Sequence, residues 1–75
     1  MIHELCKLKT KLTFDTVIIC KMNRYDYETT IRKEDIITKV NDHILKIVRP
    51  SGEICLLNVD YIVICFITDD KRIRW

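Results

Sequence analysis

The chain has 75 residues with thirteen basic against eleven acidic side chains, a formal charge of +2, and 48% apolar residues that include thirteen isoleucines. Such a length makes one domain, residues 1–75, and the apolar content excludes a disordered or low-complexity protein. The near-balanced charge excludes the strong basicity of a dedicated nucleic-acid binder.

The N-terminal residues, Met1-Ile2-His3-Glu4-Leu5-Cys6-Lys7, hold no long apolar stretch, so neither a signal peptide nor a membrane span is expected and the expected compartment is the cytoplasm. From Cys6 to Phe14 the chain alternates, with Cys6, Leu8, Thr10, Leu12 and Phe14 on one side and Lys7, Lys9, Lys11 and Thr13 on the other. That period predicts a half-buried first strand; a short helix through Ile2, Leu5, Leu8 and Leu12 is the competing reading. Asp15-Thr16 reads as a turn, Val17 to Met22 as a second strand, and Asn23-Arg24-Tyr25-Asp26 as its end. The polar segment Tyr27 to Asp35 reads as a third strand or an excursion loop.

Ile36, Ile37, Val40, Ile44 and Ile47 fit a helical stripe, but they are β-branched and Asn41-Asp42 falls where a hairpin turns, so a hairpin is expected. Arg49-Pro50-Ser51-Gly52 supplies a preset proline φ and a glycine free to take positive φ, a tight turn joining Ile44–Val48 to Glu53–Leu57. Asn58-Val59-Asp60-Tyr61 suits a single 3₁₀ turn before a last strand, Ile62 to Thr68. Five or six short strands in so short a chain predict an all-β domain with at most a short N-terminal helix, closed or nearly closed into a barrel because closure removes exposed edges.

The arrangement from Ile37-Thr38-Lys39-Val40-Asn41-Asp42-His43-Ile44-Leu45-Lys46-Ile47, through a turn, to Ile54-Cys55-Leu56-Leu57-Asn58-Val59-Asp60-Tyr61-Ile62-Val63-Ile64 resembles the last strands of Sm-like and SH3-like barrels. The resemblance spans about residues 36–67 and implies a five- or six-stranded small barrel. The Asp-x-Met-Asn hairpin and the Arg-Gly or Lys-Gly that mark Sm proteins are absent from the chain.

Lys7, Lys9 and Lys11 on one strand face would lie about 6–7 Å apart, a spacing that tracks phosphates and equally guards a strand edge. Arg24 with Tyr25, and the terminal Arg72, Arg74 and Trp75, offer cations beside aromatic rings for a partner contact. His3 and Cys6 are the nearest thing to a metal pair, but Cys-x-x-Cys is absent and no metal or cofactor is expected. Cys20, Cys55 and Cys65 lie in apolar runs and read as buried thiols, free in a reducing compartment. Glu34-Asp35 and Asp69-Asp70 read as solvated turn carboxylates, and the one serine, Ser51, has no base beside it, so catalysis is not expected.

The surplus of Ile, Leu and Val over what a small core can hide predicts an apolar surface for a protein partner or for further copies of the chain. The expected function is therefore a non-enzymatic, homo-oligomeric binding module, in the manner of a bacterial or phage accessory factor that modulates a larger protein assembly. The alternative is an oligomeric regulator that binds RNA or single-stranded nucleic acid through the lysine stripe and the basic tail.

Overall fold

The computed structural model describes residues 1–23 and 27–70. It contains a helix α1 (Ile2–Thr10), strands β1 (Thr16–Met22), β2 (Glu28–Arg32), β3 (Ile36–Lys39), β4 (Ile44–Val48) and β5 (Ile54–Asn58), a 3₁₀ turn (Val59–Tyr61) and β6 (Ile62–Asp69). The strands form two antiparallel three-stranded sheets, β2-β1-β6 (sheet A) and β3-β4-β5 (sheet B).

The expected first strand over Cys6–Phe14 is instead the helix α1. Leucine and lysine are good helix formers, and helical phase gathers Ile2 and Leu5 in the core with Leu8 packed against them. Strand phase would have buried Phe14, which is 72% exposed. Glu4 sits in the first turn 2.8 Å from the terminal ammonium, and that charge holds its carboxyl below the usual range.

The expected closed barrel is not found either: β3 and β5 end sheet B, and β2 and β6 end sheet A. The break between the sheets falls at the turn after Arg32, where Asp35 accepts from the Arg32 backbone N–H at 2.9 Å and so bends the chain from β2 into β3. At the other junction the 3₁₀ turn separates β5 from β6; Asn58 Oδ1 accepts from the Asp60 N–H at 3.0 Å and closes it where the sequence placed it. The polar segment 27–35 resolves as β2 followed by that turn.

Sheet B is a meander of two hairpins. In the first turn Asn41 Oδ1 accepts from the backbone N–H groups of His43 (2.8 Å) and Ile44 (2.9 Å), the reason a short Asx side chain stands there. In the second the Gly52 N–H donates to the Arg49 carbonyl at 2.9 Å with Gly52 at φ 92°, a conformation that costs glycine little.

Between the sheets lies one core of Ile18, Cys20, Ile31, Leu45, Ile47, Leu57 and Val59, covered at one side by Ile2, Leu5 and Leu12. The alternation of β1 and β4 explains it, since Ile18 and Cys20, and Leu45 and Ile47, are spaced by two and turn inward together.

Candidate interaction surface

The faces turned away from the core differ sharply between the sheets. On sheet B the register sets Ile36, Val48 and Ile54 side by side across all three strands, and Thr38, Lys46 and Leu56 in the next row. Cross-strand neighbours on one face touch, so Ile36, Val48, Ile54 and Leu56 form a continuous apolar strip. Ile36 is 64%, Ile54 60% and Leu56 67% exposed. Burying these side chains would each release about 1.5–3 kcal/mol, which makes their exposure a cost the fold carries unless another surface covers them.

Sheet A presents a mixed face, with the exposed Phe66 and Ile64 beside charged side chains. Three rows cross it, Thr68–Val17–Arg32, Phe66–Ile19–Thr30 and Ile64–Lys21–Glu28, and all of these but Ile64 line a cleft of about 330 Å³ bordered by Asp69 and Asp70. Lys21 Nζ stands 6.0 Å from the centre of the Phe66 ring. Arg32 Nε lies 3.7 Å from Asp70 Oδ2 and, among the described residues, has no hydrogen-bond acceptor. The cleft thus mixes two cations with three carboxylates and offers no field of one sign to a polyanion.

No protein-family model, curated protein or solved structure matches the chain. What the surface does must be read from its own residues.

The residues singled out in the sequence lie elsewhere. Lys7 and Lys9 are on α1 and Lys11 caps its C-terminal end, so the strand stripe of lysines does not form. Lys9 Nζ donates to the Lys33 carbonyl at 2.6 Å, while Lys7 and Lys11 are exposed. Arg24, Tyr25, Arg72, Arg74 and Trp75 lie outside the described residues. His3 and Cys6 are both exposed on α1, and among the described residues no three His, Cys, Asp or Glu side chains gather as metal ligands.

Two carboxylates read as solvated are buried: Asp35 is 3% and Asp70 5% exposed. Sequence reasoning missed them because their partners, Arg49 and Arg32, are brought in by the fold rather than by spacing along the chain. It also missed Ile36, Ile54 and Leu56. Their signal was present in Ile36-Ile37 and Ile54-Cys55-Leu56-Leu57, where apolar residues occupy both phases of a strand although only one face can meet the core.

Proposed function

We propose that this chain is a non-enzymatic binding module that takes a protein partner on the outer face of sheet B. The observation that carries the reading is the exposed cross-strand strip of Ile36, Val48, Ile54 and Leu56. An apolar strip of this kind, beside Lys46 and Thr38, has the make-up of an interface centre with a polar border. The two antiparallel sheets around a shared core support a fold reading as an open relative of small SH3-like or Sm-like barrels. The exposed strip supports a role as an accessory protein that modulates a larger assembly.

A second copy of the chain is one partner this strip would accept, since apolar surfaces complement themselves. The sheet A cleft does not favour the nucleic-acid alternative, as Lys21 and Arg32 share it with Glu28, Asp69 and Asp70. Among the described residues no helix is long and apolar enough to cross a membrane.

The deciding experiment compares the wild-type chain with the double variant Ile54→Lys/Leu56→Lys in light scattering over a range of concentrations and in affinity capture of protein partners. The reading expects self-association or capture, insensitive to salt, that the double variant abolishes. A variant that associates and captures like wild type overturns it, as does binding to mixed RNA that falls steeply with salt.

A further inference from the structure

Cys20 and Cys65 stand opposite one another in the β1–β6 ladder. Their pairing type follows from the hydrogen bonds further along it. The Asp70 N–H donates to the Asp15 carbonyl at 2.8 Å, so Asp15 and Asp70 are a hydrogen-bonded pair. Pair types alternate along an antiparallel ladder, the register runs unbroken from there to Lys21, and Cys20 is an odd number of steps from Asp15. Cys20 and Cys65 are therefore a non-hydrogen-bonded pair.

In such pairs the Cα atoms approach to about 4.5 Å and the side chains crowd together, within the range of about 4.4–6.8 Å that a disulfide spans. Both thiols turn toward the core: Cys20 is fully buried, and Cys65 packs against the core from its border. Both are free.

We propose that Cys20 and Cys65 form a reversible cross-strand disulfide when the chain meets an oxidised low-molecular-weight thiol such as glutathione disulfide. Cys65, the more exposed of the two, attacks as thiolate; the S–S bond of glutathione disulfide breaks and one glutathione leaves as thiolate and takes up a proton. Cys20 then loses its proton and attacks Cys65 Sγ, expelling the second glutathione. Two protein thiols are oxidised to one disulfide, and one glutathione disulfide is reduced to two glutathiones.

The surroundings set the rate and the reversibility. Desolvation, and then the neighbouring Cys65 charge, push the Cys20 thiol up to about 12, and desolvation raises Cys65 as well. Both therefore stay protonated, and exchange waits for a sustained oxidising pool. A Cα separation at the short end of the disulfide range strains the bond and keeps it easy to reduce.

The helix α1 reads the state of the pair. In the reduced form Cys65 Sγ lies 3.9 Å from Met1 Sδ, at the start of the helix that packs on β6. Bond formation draws Cys65 Sγ toward β1 and away from that contact, which loosens the helix N-terminus.

The test treats the full native chain with glutathione disulfide and reads intact mass and linked peptides. The expected product has lost two hydrogens at a Cys20–Cys65 link, with glutathione on the exposed Cys6 counted separately, and a reductant restores the thiols. Cys20→Ala stops at a glutathione adduct on Cys65; if that variant fails to fold, the wild-type map alone decides. A lasting adduct on wild-type Cys65, links scattered among the four cysteines, or an unmodified Cys65 once Cys6 has fully reacted each overturn the bond. Trypsin cleaves after Lys7 several-fold faster in the oxidised chain, and an unchanged rate overturns the coupling to α1.

Discussion

Arg49 donates through Nη1 to Asp35 Oδ2 at 2.8 Å and to the Thr30 carbonyl at 3.1 Å, so one guanidinium from the end of β4 ties sheet B to β2 of sheet A. Its Nε also donates to Glu53 Oε1 at 3.0 Å across the tight turn. Asp35 is almost wholly buried and Arg49 mostly so, which makes the pair costly to break from one side.

Asp35→Ala should therefore destabilise the fold by about 3–5 kcal/mol, since it removes the buried partner of Arg49, leaving that guanidinium with the exposed Glu53 as its counter-charge, and frees the Arg32 backbone N–H that the same carboxylate accepts. Urea unfolding measures it. Adding Arg49→Met to Asp35→Ala should recover part of the loss, and strict additivity of the two would show that they do not interact.

The helix reading of the first dozen residues separates Leu5 from Phe14. Leu5→Ala removes a fully buried side chain and should cost about 2–5 kcal/mol, whereas Phe14→Ala, at an exposed position beside Lys33, should stay within about 0.5 kcal/mol. Thermal unfolding of both variants would reverse that order if Cys6–Phe14 were a strand.

Leu56→Lys lies on the open face of sheet B and should leave stability within about 0.5 kcal/mol of wild type. Partner capture or self-association should nevertheless fall at least tenfold, equivalent to about 1.4 kcal/mol. Chemical denaturation and a binding titration on the same preparation separate the two effects.

Cys20 links stability to alkaline pH. Its thiol is raised from 9.0 to about 12 in the fold, so the unfolded chain releases its proton first as pH rises. The contribution is complete below pH 9 and is lost as pH climbs through 12. Wild-type stability measured under reducing conditions should fall more steeply across that window than that of Cys20→Ala, and parallel slopes would remove the linkage.

Much of the fold was legible because local chemistry and fold agree over Ile36–Ile67. The Asn41 and Gly52 turns, the 3₁₀ turn at Asn58 and the β-branched runs all say the same thing that the ladders do. The N-terminal segment was ambiguous, since Leu8 and Leu12 satisfy both periods, and the choice rests on Ile2 and Leu5 finding the core that β6 and β4 provide. Closure was misjudged for a different reason: it depends on how far Asp35 and the 3₁₀ turn bend the chain, an angle no residue pattern encodes. The strip on sheet B was implied by the apolar surplus, but its location required the register that puts Ile36, Val48 and Ile54 in one row.

The two sheets also differ in when they can exist. Every ladder of sheet B joins strands that follow one another, so its loops close at small entropic cost and it can form as soon as Ile36–Asn58 is available. Sheet A must wait for its last strand: β1 lies between β2 and β6, and Ile18 and Cys20 gain their second neighbour only when Ile67 and Cys65 arrive. β1 is therefore held in a half-finished sheet until β6 is available, and the pairing of β6 completes sheet A.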